Sequence, residues 1–157
     1  MTPVLIFLMR HAEKPLDPRD PNLSDAGKAR ADALSRYIAE DASTPDFLFA
    51  SAASKHSVRS IQTLTPLSEK LGLPINTGIA DQDYQVLSGE LLSDPKFAGK
   101  VVLICWHHGN LPGLALDLNA PESDVPNPWD SGVFNLILKL DYSAGSIPFV
   151  TPITEPF

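Results

Sequence analysis

Short, uninterrupted apolar runs alternate along this chain with longer stretches in which apolar residues recur every three or four positions. Residues 4–9 form the first run, bounded by Pro3 and Arg10. Consecutive apolar positions over that length predict a strand buried on both faces, as in a parallel sheet. Residues 14–23 contain three prolines and are predicted as loop. Ser24 is expected to cap a helix with Asp25 in its first turn. Ala29, Ala33, Leu34, Tyr37 and Ile38 follow at helical spacing, so an amphipathic helix is predicted over 25–40. After Pro45, residues 47–50 predict a short strand. Residues 51–57 are mostly small and polar and predict a loop. A helix is then predicted over 57–71, turning Val58, Ile61, Leu64, Leu67 and Leu71 inward. Pro66 predicts a kink or a break in it, and Gly72 its end.

Residues 74–76 predict a short edge strand and 83–93 a helix. Residues 101–105 predict another buried strand, and 109–118 a helix entered near Pro112. The proline- and acid-rich residues 119–130 predict a loop, residues 133–140 a strand, and the last seventeen residues a tail across the surface. Strands alternating with helices imply an α/β fold of three layers, a mostly parallel sheet with helices on both faces. One domain is expected over 1–157. In such sheets ligands bind beyond the carboxyl ends of the strands. Arg10-His11, Ser51 and His107-His108 each follow a predicted strand, so three polar clusters are expected to converge on one edge.

Composition narrows the function classes. The 157 residues carry a net charge of −7, and the twelve lysines and arginines are scattered. A nucleic-acid partner is not expected, because phosphate backbones need clustered cations. The first apolar run is far short of a membrane span, so no membrane partner is expected. No basic residue precedes that run and no small-residue cleavage site follows it, which favours a strand over a signal peptide. Cys105, the one cysteine, can make neither an internal disulfide nor a cysteine-based zinc cluster. A reducing, cytoplasmic location is the expectation.

The convergent clusters suit phosphoryl chemistry. Such a site needs cations around three equatorial oxygens and a nucleophile in line with the leaving group. Arg10, Arg59 and one of the paired histidines can supply the cations, and neutral His11 the nucleophile. His107-His108 with a nearby aspartate lacks a third spaced metal ligand, so neither metal nor cofactor is expected.

These residues resemble a known family. Leu8-Met9-Arg10-His11-Ala12-Glu13 is similar to the signature of the histidine phosphatase superfamily, with the phosphoglycerate-mutase-like fold. Leu23-Ser24-Asp25-Ala26-Gly27-Lys28-Ala29-Arg30-Ala31, Arg59-Ser60-Ile61-Gln62-Thr63, and Val102-Leu103-Ile104-Cys105-Trp106-His107-His108-Gly109-Asn110 resemble its later motifs, in family order over residues 4–118. The resemblance implies that His11 becomes phosphorylated and that Arg10 and Arg59 bind the phosphoryl group. It implies that His108 is the second histidine, contacting a phosphoryl oxygen, because Gly109-Asn110 follows it. Side chains alternate along a strand, so only one of His107 and His108 can face the pocket directly.

Two departures stand out. Ser51 lies eight residues before Arg59 where the family has four, so Ala53-Ser54-Lys55-His56 are extra. His107 stands where a related subgroup carries glutamate. For the general acid the candidates are Asp81, Asp83 and Glu90, with Glu13 a further option; Asp83 is chosen because it precedes a predicted helix at the pocket edge. The compact chain resembles the phosphohistidine-protein phosphatase branch. Its expected partner is a phosphorylated small molecule or phosphoprotein. The alternatives are a non-catalytic phospho-ligand binding module, a mutase-type phosphotransferase and a metal-bound hydrolase.

Overall fold

A computed structural model describes residues 2–40 and 43–157. Six strands form one sheet: β1 (Leu5–Arg10), β2 (Phe47–Ala50), β3 (Ile75–Asn76), β4 (Val101–Trp106), β5 (Leu136–Asp141) and β6 (Phe149–Thr154). Their order is β3-β2-β4-β1-β5-β6. β1 to β4 are mutually parallel, and β5 runs antiparallel to both β1 and β6. The helices are α1 (Asp25–Ala39), α2 (Arg59–Leu71), α3 (Tyr84–Ser93) and α4 (Leu111–Asp117). The mostly parallel α/β architecture expected from the sequence is therefore present. Among the described residues no helix is long and apolar enough to cross a membrane.

The period-2 alternation of the strands sorts the core into two layers. Ile6 and Leu8 of β1 and Val102, Ile104 and Trp106 of β4 pack beneath α3 and α4, with Leu87, Leu91, Leu111 and Leu114. Met9, Leu103 and Cys105 face the other way, against Leu34 of α1 and Leu64 and Leu67 of α2. Because both faces are covered, β1 and β4 read as unbroken apolar runs.

Several expectations shift at their edges. Ser24 caps α1 by accepting a hydrogen bond from the Gly27 amide. Pro66 sits inside α2 without ending it, and that helix starts at Arg59 rather than at Ser57. The strand expected from residue 133 begins at Leu136, because Val133 closes a turn by donating its amide to the Asp130 carbonyl. The terminal segment is not only a surface tail. Residues 149–154 pair with β5 as the edge strand β6. Main-chain hydrogen bonds hold this strand, and its mostly exposed side chains and Pro152 leave no apolar periodicity to read.

Candidate active site

β1 and β4 are parallel neighbours in register, ending with Arg10 opposite Trp106. The His11 amide continues the ladder by donating to the Trp106 carbonyl at 3.2 Å. The next residues, His11 and His107, therefore leave the sheet on the same face. Their rings meet edge to face with centroids 5.2 Å apart. Burial, and after it the charges of Arg10 and Lys14, hold the pKa of His108 below the ordinary histidine value. The structure thus places His107 directly against His11, with His108 half-buried next to it at the same strand end.

His11 is 2% exposed. Its Nδ1 lies 2.7 Å from the Ala12 carbonyl oxygen. That oxygen can only accept, so Nδ1 carries the proton and Nε2 keeps its lone pair. Burial first, then the charges of Arg10, His107 and Arg59, push the imidazole pKa down to about 3. Neutral at physiological pH, the ring is a free base aimed by its own backbone.

Residues 11–13 are clamped on three sides. The Ala12 amide donates to Thr63 Oγ1 at 2.9 Å, and that hydroxyl donates to the Arg59 carbonyl at 2.7 Å. The Glu13 carbonyl accepts from the Ser24 amide at 3.0 Å. A Cβ on Gly27 would sit 2.3 Å from that same carbonyl oxygen, so only glycine fits where α1 crosses. The Glu13 carboxylate pairs with Arg30 at 2.8 Å, and Arg30 also reaches Glu155 at 3.1 Å.

Two buried arginines act on the imidazole through their charges. Arg10 donates to the Ser131 carbonyl, and its guanidinium lies 4.0 Å from the centre of the Phe134 ring. Its Nε has no hydrogen-bond partner among the described residues. Burial and the nearby Arg59 push the Arg10 pKa down to about 10, against partial support from Asp130 and Glu13. Arg59 donates to the carbonyls of Asn22, at 3.0 Å, and of Asp20. Burial lowers its pKa as well. Two buried cations, one of them depressed by the other and carrying an unpaired N–H, form a site short of negative charge.

Arg59, His107 and Asp81 line a cavity of about 500 Å³ together with Ala52, Ser54 and His56. The Trp106 indole and the Asn110 amide fix the turn at residues 81–83 by donating to the Asp81 carbonyl, and Asn110 also donates to Asp81 Oδ2 at 3.0 Å. Asp81 Oδ1 is buried with no hydrogen-bond partner among the described residues. Its charge partly offsets the burial that lowers the His107 pKa.

The other expected acids do not line this cavity. Asp83 and Glu90 are exposed, and Glu90 borders a different hollow beside Phe97. Glu13 is engaged by Arg30. Ser51 is buried and donates to Ser60 Oγ at 2.9 Å, a bond inside the scaffold. Asp130, Ser131 and Phe134 carry no motif in the sequence. They reach the site because β5 is antiparallel, which brings the loop before it to the edge where β1 ends. Among the described residues no three His, Cys, Asp or Glu side chains gather as a metal-binding set.

By sequence alone, no family model and no curated protein matches the chain. Solved structures do. The protein histidine phosphatase SixA, in complex with tungstate, superposes with a TM-score of 0.72 at 16% identity, covering 96% of both chains. The fold is that of the histidine phosphatases. A mycobacterial glucosyl-3-phosphoglycerate phosphatase matches with a TM-score of 0.63 at 14% identity over 96% of this chain and 97% of its own. A protein described as mycobacterial hydrolase 1 matches with a TM-score of 0.63 at 16% identity over 98% of both chains.

Proposed function

We propose that the protein is a phosphatase that passes a phosphoryl group from substrate to His11 and then to water, without a metal. One observation carries this reading above the others. A neutral imidazole with a free Nε2 lies within the field of two buried arginines, one of which has an unpaired Nε–H. That arrangement suits a dianionic group beside a nucleophile.

In the first step the Nε2 lone pair attacks phosphorus and the bond to the leaving oxygen breaks. Arg10 and Arg59 take up charge on the equatorial oxygens. His107, against the imidazole, and His108, as the resemblance implies, supply further donors. Asp81 is the proposed acid in place of Asp83, because Asp81 lines the cavity beside Arg59 and His107 and the exposed Asp83 does not. Protonated from solvent before the step, Asp81 gives that proton to the leaving oxygen and is left as the carboxylate. Water then attacks phosphorus, Asp81 accepts its proton, the P–N bond breaks, and His11 is neutral again. The substrate is a phosphomonoester or a phosphohistidine; the SixA likeness supports the second, and the likeness to the glucosyl-3-phosphoglycerate phosphatase the first.

Hydrolysis of an aryl phosphate tests this reading, since its good leaving group needs little acid. Wild-type protein should turn it over in the presence of a chelator, and His11→Ala should not. Equal background rates for the two proteins would leave only a phospho-ligand binding module. Activity abolished by the chelator and restored by a divalent metal would favour a metal-bound hydrolase instead.

A further inference from the structure

The four extra residues between Ser51 and Arg59 have no part in the chemistry above. They are nevertheless built into the cavity beside it. Ala53, Ser54 and His56 line the space of about 500 Å³ that opens next to Arg59 and His107. The loop is braced. The Ala52 amide donates to the Ile79 carbonyl at 2.8 Å, which ties the two walls of the cavity together. The Ser54 amide donates to the Ser57 carbonyl at 3.0 Å, and Ser54 Oγ accepts from the amides of His56 and Ser57. The Val58 amide donates to the Pro21 carbonyl at 3.0 Å.

Resting on the reading of His11 as a phosphatase nucleophile, we propose that this loop forms the leaving-group subsite, and that it selects the phosphomonoester of a sugar or polyol over a phosphorylated protein. Size is the first argument. Cavities of roughly 300–1,000 Å³ enclose whole small molecules, so this one is far larger than a single imidazole side chain requires. Charge is the second. Arg59 is the only arginine or lysine lining the cavity among the described residues, and the proposed mechanism assigns it to the phosphoryl group. A leaving group with its own phosphate or carboxylate would find no further fixed cation there. Surface chemistry is the third. Ala52, Ala53 and Ala80 give a smooth apolar wall for the C–H face of a ring, while Ser54, Ser57, His56 and Gln82 offer hydrogen bonds to hydroxyl groups.

Initial rates with glucose 6-phosphate, acetyl phosphate and a phosphohistidine peptide test this. The inference expects kcat/KM for glucose 6-phosphate to exceed that for the peptide by at least tenfold. Ala53→Trp, which fills the cavity, should lower the ratio of kcat/KM for glucose 6-phosphate to that for acetyl phosphate at least tenfold. His56→Ala, at an exposed position, should raise KM for glucose 6-phosphate with kcat little changed, and carries the test if Ala53→Trp does not fold. A preference for the peptide, or ratios unchanged in both variants, overturns the subsite while leaving the phosphatase reading intact. No turnover of any of the three, with no phosphoryl group on His11, overturns both.

Discussion

Acid should destabilise this protein through His11. The imidazole is neutral in the folded state down to about pH 3, because burial penalises its charged form. In the unfolded chain it protonates near pH 6.5. Between these values the unfolded state binds one more proton, so stability falls as pH falls, by up to about 1.4 kcal/mol per pH unit. From pH 7 to pH 5 the loss from this one group integrates to about 2 kcal/mol. That figure depends on the unfolded value and is insensitive to how far below pH 4 the folded value lies. Urea midpoints for wild type and His11→Asn at pH 7, 6 and 5 isolate the effect. The asparagine amide can still donate to the Ala12 carbonyl but cannot titrate. Wild type should lose about 2 kcal/mol more than the variant over this range. Parallel pH profiles for the two proteins would show that His11 protonates in the folded state, and the free-base nucleophile would be lost with it.

Other consequences are equally direct. Gly27→Ala should destabilise by about 1–3 kcal/mol in urea titration, because the new methyl meets backbone at the Glu13 carbonyl rather than a side chain that can turn away. Arg30→Ala strands the carboxylates of Glu13 and nearly buried Glu155 and should cost about 3 kcal/mol; a loss below 1 kcal/mol would mean that solvent already screens the cluster. Asp81→Asn should lower kcat more for an alkyl phosphate than for an aryl phosphate, since only the poorer leaving group needs the proton; equal losses on both would count against its acid role. Cys105 is fully buried and its thiol pKa is raised by burial, so it should resist thiol reagents until the protein is unfolded, as absorbance-detected labelling would show.

The sheet was legible because β1 and β4 are covered on both faces and so spell themselves as apolar runs. The edge strand β6 was not, since main-chain bonds rather than side-chain burial hold it. Arg10, His11 and Arg59 were legible as motif residues, and the rule of strand carboxyl ends placed Arg10-His11, Ser51 and His107-His108 on one edge. The neighbour of His11 is a finer matter. Register pairing of β1 with β4 puts His107 beside it, and register is invisible until the strands are aligned. Among the candidate acids the sequence pointed to Asp83; the bonds from Trp106 and Asn110 that hold Asp81 beside the cavity leave no motif, and they support the proposal of Asp81 instead. The loop carrying Ser131 and Phe134 left no signal, because its place depends on β5 running against β1.

The central claim is a covalent bond to one nitrogen. Rapid acid-free quenching of a reaction with ³²P-labelled substrate, followed by peptide mapping under basic conditions, reads it directly. The account predicts a base-stable, acid-labile phosphoryl group on His11, formed and discharged at rates that match turnover and absent in His11→Asn. Turnover with no labelled protein, or a label on His107 or His108 that persists in His11→Asn, would contradict it.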